Sequence, residues 1–570
     1  MFVSTHRPSR PITLLVASFL GLSFFLLLPS VSHAQQDAGQ ILRQLQESTP
    51  SLKRPDKEVI DRTPILRPEV SDLPDLRMEV KGFQISGMPE KDAAAVQQEL
   101  QRFIGPEKTF QDLLEAAALV KRHLNSQGYL LAQAYIPEQK MQGGVVEIAV
   151  LLGRLGKIEL NYDEATAVPR ARIQAYLDHL EEGKVLRTAQ LERVLFLIND
   201  LHGVQAISTL RPGADPGAAD LVVEVKPDSR LSGHIQFDNQ GSRFTGSRRA
   251  SAGVNLGSPL GFGDSLSLRG MLSEHNGIQF GSLSYILPLG SDGWRFGLLL
   301  SKLKYSLLEN EGVTKGSGTA NDVMGYLLYP LLRSRNVNLF LQAGYDYKTF
   351  VDTPEVGQAI DRQSRALLLT LSGDLRDSLF GGGINNFSLA YTQGTLHNPT
   401  ATLDVPTGKF RRINPTYSRL QALGDSDFLL YFRYSGQIAL DRLDSSEKFS
   451  LGGPSAVRAY PVGEAPSDTA HLASLELRYR IPDWDGRIPG TLIGLLFADW
   501  ARAIVDKAPP IETTDPPNIR KLSGYGFGFN WALANSWSAQ TSFAWRERGT
   551  LLNDKKDKHP RLYFQLTRNF

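Results

Sequence analysis

The segment Asp427–Leu440 reads DFLLYFRYSGQIAL and alternates with a period of two. Phe428, Leu430, Phe432, Tyr434, Ile438 and Leu440 share one face, while Tyr431, Arg433, Ser435 and Gln437 occupy the other. The later segment His471–Ile481 repeats the arrangement, with Ala473, Leu475, Leu477, Tyr479 and Ile481 set against Ser474, Glu476, Arg478 and Arg480. Large apolar side chains interleaved one-for-one with charges suit a wall between lipid and water. A soluble sandwich, with charges outward and a dry interior, produces the same alternation, so the pattern alone leaves both open.

Segments of this kind recur from about Ser229 to Phe570, separated by Gly, Asp, Pro and Asn turns, and helical periodicity is absent there. About 16 are counted, an even number as closed bacterial barrels require. The last, Arg561–Phe570, ends the chain on an aromatic, with Leu562, Phe564, Leu566 and Phe570 on one face. The N-terminus supports a membrane destination. His6, Arg7 and Arg10 precede an apolar run from Ile12 to Leu28, Pro29 breaks it, and Ser32-His33-Ala34 places small residues at the −3 and −1 positions of a cleavage site. Residues 1–34 are therefore expected to be a secretory signal cleaved after Ala34, the alternative being an uncleaved anchor helix. Nothing beyond residue 34 approaches the roughly 20 apolar residues of a spanning helix, so any later crossing must use strands. A transmembrane antiparallel β-barrel is predicted over residues 229–570.

Between signal and barrel the pattern changes three times. Residues 35–48 predict a short helix with Ile41, Leu42 and Leu45 on one stripe, marginal in water without a partner surface. Residues 49–77 carry Pro50, Pro55, Pro64, Pro68 and Pro74 among charges and read as an extended, core-free linker. Residues 78–153 predict a compact β-α-α-β-β unit: a strand over 80–85, helices over 90–104 and 110–126, strands over 130–136 and 144–151. A second unit of the same order follows over 154–228, with a strand at 157–162, helices near 169–181 and 188–200, and strands at 204–210 and 220–225.

Composition excludes several function classes. Lys and Arg number 62 against 60 Asp and Glu, and Arg7 and Arg10 of the signal account for the excess. A neutral chain has no bulk attraction for phosphate, so nucleic acid is not expected as a partner. Cysteine is absent, which removes thiol nucleophiles, disulfides and cysteine-ligated metals. No two histidines share an i, i+4 spacing, and neither a GxxxxGK[ST] phosphate loop nor a GxSxG elbow occurs. The run GYGFG at 524–528 resembles a dinucleotide loop, but it sits in a strand pattern with no helix after it. The chain reads as a non-enzyme with no cofactor and no metal.

One interruption of the barrel pattern is long, at about 441–470: DRLDSSEKFSLGGPSAVRAYPVGEAPSDTA. It falls between the eleventh and twelfth segments, hence outside the cell if strand one starts in the periplasm. It holds Arg458 between Val457 and Tyr460, after Gly452 and Gly453. Two segments later, Ile493, Leu495, Phe497 and Asp499 share a face on which Asp499 is the only charge. An inward-folded loop pinned by a bidentate Arg458–Asp499 pair is one expectation. A flexible loop with a solvated arginine is the other.

These residues resemble the outer-membrane transporters of two-partner (type Vb) secretion, the haemolysin-secretion and filamentous-haemagglutinin-secretion proteins. GYLLAQAYIP (128–137) with Gly143–Gly153 looks like the family's first periplasmic POTRA domain, and LINDLHGV (197–204) like the signature of the second. FDNQGSR (237–243), Gly246 and PLGFGD (259–264) are similar to its first barrel hairpins, and SLGGPSAVRAY (450–460) to its inward-folded sixth extracellular loop. The resemblance implies an Arg458–Asp499 pair between the loop motif (Gly452, Gly453, Val457, Arg458, Ala459, Tyr460) and a wall motif (Phe497, Asp499), with Phe564 and Phe570 in the C-terminal signature. Two positions depart from the family pattern: Ala459 and Ala501 stand where glycine is usual. The resemblance further implies a monomeric, nucleotide-independent outer-membrane pore for one large exoprotein whose N-terminal secretion domain is caught by periplasmic POTRA domains. The 35–48 helix would be a pore plug, and barrel-assembly machinery, periplasmic chaperones and outer-membrane lipid would be further partners. A general porin and a barrel-assembly insertase are the competing readings. The cargo stays open between a haemolysin, an adhesin, a contact-dependent toxin and a haem scavenger.

Overall fold

A computed structural model describes residues 37–46, 60–61, 77–141, 143–308, 315–399, 406–482, 489–508, 517–533, 536–551 and 558–570. The expected signal peptide, its cleavage site and most of the linker lie outside these residues. Within the linker, Ile60–Asp61 (β1) is described, and it departs from the core-free expectation: it pairs in parallel with Ser208 and Thr209 of the second α+β unit. Backbone groups of an extended chain need partners wherever it meets a sheet edge, and proline-free Ile60–Asp61 supplies two such residues.

The first α+β unit contains β2 (Met78–Val80), β3 (Gly82–Ser86), β4 (Gly105–Lys108), β5 (Gln133–Tyr135) and β6 (Val145–Leu151), with helices α2 (Glu90–Leu100) and α3 (Phe110–Ser126). Its sheet runs β3-β6-β5, and β2 pairs separately with β4. The β4 strand was not anticipated, because Gly105-Pro106 reads locally as a turn; the 130–136 strand contracts to three residues and the 90–104 helix ends at Leu100 before a single 3-10 turn. Thr109 caps α3 by a reciprocal box with Asp112. The backbone hydrogen bond from Thr109 leads the groups that hold the Asp112 carboxyl below its ordinary pKa. Val96, Leu100, Leu113, Val120 and Leu124 bury the helical stripes against Phe83, Val146 and Ile148 of the sheet.

The second unit comprises β7 (Arg154–Tyr162), α4 (Arg170–Leu177), α5 (Thr188–Asn199), β8 (Val204–Pro212) and β9 (Ala218–Pro227), in sheet order β1-β8-β9-β7. The apolar faces of α4 and α5, including Ile173, Leu177, Leu191, Leu195 and Ile198, cover Leu221, Val223 and Val225.

Sixteen antiparallel strands, β10 (Leu231–Asp238) through β25 (Arg561–Asn569), close into a barrel in sequence order. Closure leaves no free edge, which is how strands cross a bilayer with every backbone group paired. At the seam, β25 pairs with β10 from His234↔Asn569 to Asp238↔Gln565. Phe564 and Phe570 sit on the outer face, and the Phe570 ring occupies the space a side chain at Gly233 would need. In β20 (Phe428–Ala439) and β21 (Thr469–Ile481) the predicted apolar set faces outward, register-paired as Phe428↔Tyr479 and Phe432↔Leu475.

The second unit is bolted to the barrel's periplasmic rim. Asp200, just past α5, accepts from Arg295 of β14 (Trp294–Ser306) at 2.5 Å and from Arg333 of β15 (Gly316–Arg333) at 2.7 and 3.0 Å. Arg193 donates to the Pro330 carbonyl at 2.8 Å, and Arg172 to that of Pro288 at 2.7 Å. Burial alone would raise the Asp200 pKa, but Arg295 and Arg333 hold it below the ordinary carboxylate value.

Candidate functional site

Two chain segments fill the barrel lumen. The first is the loop between β20 and β21, the sixth extracellular loop by strand count. Its Arg458 lies against the wall strand β22 (Thr491–Ile504). Nε and Nη2 donate to the two oxygens of Asp499 at 2.9 and 2.7 Å, and the Arg458 backbone N–H donates to Asp499 at 3.0 Å. Nη1 donates to Glu476 at 2.8 Å and Nη2 also to Ser474 at 3.0 Å. The guanidinium stacks 3.4 Å over the Phe497 ring. Asp499 is fully buried and Arg458 nearly so, which makes this a charge-assisted bidentate contact shielded from water. The structure thus brings Arg458, Phe497 and Asp499 together. Ser474 and Glu476, placed by sequence on the same lumen face, complete the pocket, but their role was missed because a two-residue period says where a side chain points and not what it meets.

The loop tip is built around this arginine. Val457 N–H donates to Leu451 (2.9 Å), Tyr460 N–H to Val457 (3.0 Å) and Gly453 N–H to Tyr460 (3.0 Å). Tyr460 is fully buried; its carbonyl accepts from Tyr563 at 3.0 Å. Gly452 forms an isolated bridge with Val457. Ala459 faces β23 (Ile519–Leu533), where a Cβ on Gly524 would fall 2.5 Å from its own. The GYGFG run is therefore a seat for the loop: Gly524 clears Ala459, and Gly526 clears the Phe497 ring.

The second segment is helix α1 (Ala38–Gln46), within the 35–48 range expected from sequence. Ile41 and Leu42 are buried against Ile278, Leu303, Tyr305 and Phe350 of the lumen wall, each contributing roughly 1.5–3 kcal/mol on burial. Gly39 permits direct contact with loop six, since a Cβ there would lie 2.3 Å from that of Ser446. The helix is tied at its N-terminus by Arg362 of β17 (Ile360–Asp377). That one guanidinium pairs with Asp37 of the plug segment (3.1 Å), Asp352 of β16 (Val337–Pro354; 2.6 Å) and Asp444 of loop six (2.9 Å). Asp352 also accepts from the Ala38 N–H at 3.0 Å and from Tyr305 at 2.7 Å, so negative charge meets the positive end of the helix. Ser445 donates to Asp37. Farther along, Arg43 donates to Gln437 at 2.6 Å and Gln44 to Ser450 at 3.3 Å. No spacing in the sequence links positions 37, 352, 362 and 444, so this cluster carried no signal before folding.

Residues 217–494 match the family model "Haemolysin secretion/activation protein ShlB/FhaC/HecB", and residues 78–153 match "POTRA domain, ShlB-type". The chain is 26% identical over 566 residues to the heme/hemopexin transporter protein HuxB of Haemophilus influenzae, covering 96% of this chain and 98% of that protein. It is 24% identical over 347 residues to the outer membrane transporter CdiB of Escherichia coli O6:K15:H31, covering 58% and 57% respectively. Among solved structures, CdiB from Escherichia coli aligns with a TM-score of 0.67 at 19% identity over 93% of this chain and 96% of that one. CdiB from Acinetobacter baumannii aligns at 0.61 and 17% identity with the same coverage.

Proposed function

We propose that the chain is a two-partner secretion transporter of the haemolysin secretion/activation type, an outer-membrane barrel with periplasmic POTRA domains, and that it exports one dedicated, large partner protein through its lumen. The observation that supports this reading is the doubly occupied lumen: loop six held by Arg458, and an N-terminal helix held by Arg362. A passive porin needs neither. The two α+β units would receive the partner's N-terminal secretion domain in the periplasm. Strand edges pair with extended chains in a sequence-tolerant way, and β8 already accepts one in the form of this chain's own Ile60–Asp61. The partner would then displace the helix, thread the pore unfolded and fold outside, with no nucleotide and no catalytic step. Similarity to heme/hemopexin transporters over nearly the whole chain makes a haem-handling exoprotein the first cargo to seek. We further assign it a monomeric state and assembly by the barrel-assembly machinery with periplasmic chaperones.

Mass spectrometry of medium, periplasm and outer membrane, from cells with and without this gene, tests the assignment. Loss of a single large protein from the medium is expected. An unchanged secretome with altered small-solute uptake would indicate a porin. General depletion of outer-membrane barrels would indicate an insertase.

A further inference from the structure

The outer wall of the barrel is not uniformly apolar. On β14, the outward positions Trp294, Phe296, Leu298 and Leu300 are followed by Lys302 and Lys304, both exposed. The inward-facing Leu303 packs on the plug cluster, which fixes the two lysines on the lipid side. Strand tilt and rise place Lys302 roughly 20 Å above Trp294, at the upper edge of the hydrocarbon band. The register links that position to the neighbouring strands, and because the strands tilt, the row climbs towards their outer ends as it crosses the sheet. Lys302 pairs with Asn321, Asn321 with Thr349, Thr349 with Gln363, and Gln363 with His397 on β18 (Gly383–His397). One row away, Tyr347 pairs with Arg365, Arg365 with Thr395, and Thr395 with Lys409 on β19 (Gly408–Ala422). Paired residues share a face, so all of these project outward.

Six adjacent strands therefore present Lys302 and Lys304, 8 and 10 residues from the periplasmic end of β14, and Arg365 and Lys409, 12 and 13 residues from those of β17 and β19, in one band about 13 Å high, interleaved with amide and hydroxyl groups. Arg411 belongs to the same face but is paired to Asp441 at 2.9 Å. Asp361 and Asp377 are the other outward-parity carboxylates on these strands among the described residues, and Asp377, at the periplasmic end, is paired to Arg419 at 2.6 Å. Among the described residues, no carboxylate lies within ion-pair reach of Lys302, Lys304, Arg365 or Lys409; Arg365 is stiffened over the Tyr347 ring at 5.6 Å. Cations left unpaired at the boundary of a bilayer have a use only for anionic headgroups, and hydroxyl and amide neighbours add donors and acceptors for sugars.

We propose that the outer wall of β14–β19 is a binding surface for a phosphorylated glycolipid of the outer leaflet, with Lys302, Lys304, Arg365 and Lys409 contacting its phosphates. This rests on the orientation with loop six outside the cell. Lys302 on β14 and Arg365 on β17 lie three strand spacings apart, about 15 Å, a span suited to a disaccharide headgroup phosphorylated at both ends rather than to a single phosphodiester.

Native mass spectrometry of the delipidated full-length protein, titrated separately with diphosphorylated lipid A, dephosphorylated lipid A and phosphatidylglycerol, tests the surface. The wild type is expected to retain diphosphorylated lipid A at least about tenfold more tightly than either alternative, and K302Q/K304Q/R365Q/K409Q to lose that preference. Heat-modifiable migration confirms that the variant barrel has folded, and no secretion step enters the readout, so failure of the export assignment would not imitate failure here. Equal retention by wild type and variant would overturn the proposal. So would equal binding of phosphatidylglycerol, which needs no glycolipid surface.

Discussion

Two arginines hold the two obstructions in the lumen, and they do so in opposite ways. Arg458 sits on loop six itself, and its anions Asp499 and Glu476 sit on adjacent wall strands. If the loop left, those two buried carboxylates would lose their common cation at once. Arg362 sits on the wall and gathers anions from three places: the plug, a neighbouring strand and loop six. If the plug left, Asp37 would go into water while Arg362 kept Asp352 and Asp444. Breaking a buried pair costs about 3–5 kcal/mol because a charge is stranded, whereas withdrawing one surplus partner strands nothing. On these costs the helix is expected to leave the pore more readily than loop six.

The largest effect is expected from R458A, which leaves buried Asp499 without a cation while Glu476 keeps only Arg478, at 2.7 Å. The loop seat should weaken by about 3–5 kcal/mol, and export of the partner should fall to background at equal abundance of a folded, heat-modifiable barrel. Normal export by this variant would remove the loop from any account of gating. Reversing both charges, R458E with D499R, should restore the seat only in part, since Glu476 then repels the new glutamate.

Next in size is D200N at the periplasmic rim, where the arrangement at Arg458 appears in mirror image: one carboxylate between two arginines. Neutralising it leaves Arg295 without its anion, while Arg333 keeps Asn338 at 2.7 Å, so a loss of about 2–3 kcal/mol in docking is expected. Hydrogen exchange in α5 would rise in the variant. The pH dependence has a definite sign. Asp200 is held below its ordinary value in the folded protein, so its contribution is complete above the normal aspartate range. It is lost only as pH falls through the depressed folded value. Exchange in α5 should therefore stay flat from neutral to mildly acidic pH and rise only below that; a rise near pH 6 would point to a different titrating group.

The contrast also explains what could be read before folding. Barrel class, strand count and the faces of β20 and β21 were legible because a two-residue period must match a two-sided wall. The Arg458–Asp499 contact was a matter of an arginine on a long loop and a lone charge on one strand face, and the family resemblance singled it out. The Arg362 cluster was silent, because its four members come from segments as far apart as residues 37 and 444, and only closure of the barrel makes them neighbours. The β4 strand was silent for the opposite reason: its Gly105-Pro106 start carries a strong local turn signal that pairing with β2 overrides.

R362Q tests the helix half. Arg362 makes one charged contact to the helix segment, to Asp37, worth about 1.5–3 kcal/mol, and the variant also leaves Asp352 and Asp444 without their cation, so the open fraction in planar-bilayer recordings should rise at least roughly tenfold while export persists. D37N should do the same more weakly, because Asp352 still caps the helix through the Ala38 N–H. If R362Q instead abolished export with the pore closed, the plug and loop six would be one coupled unit and the distinction drawn between the two arginines would fail.

The smallest effect concerns how loop six fits its seat. The family's usual glycine at the loop tip is Ala459 in this chain, and the extra methyl is accommodated because Gly524 opposite has none. The two positions should therefore be complementary in size. G524A would set two Cβ atoms 2.5 Å apart, with the Trp545 carbonyl 2.9 Å behind, so the strand has nowhere to retreat. Overpacking of this kind costs about 1–3 kcal/mol, which should appear as lowered thermal stability and reduced export. A459G alone should be near neutral. The double variant A459G/G524A moves the methyl from loop to wall and removes the clash with Ala459, while the approach to the Trp545 carbonyl remains. Recovery of most of the lost stability in the double variant would place the coupling between these two residues; recovery of none would assign the cost to the carbonyl and make Gly524 a requirement of the strand itself, independent of the loop.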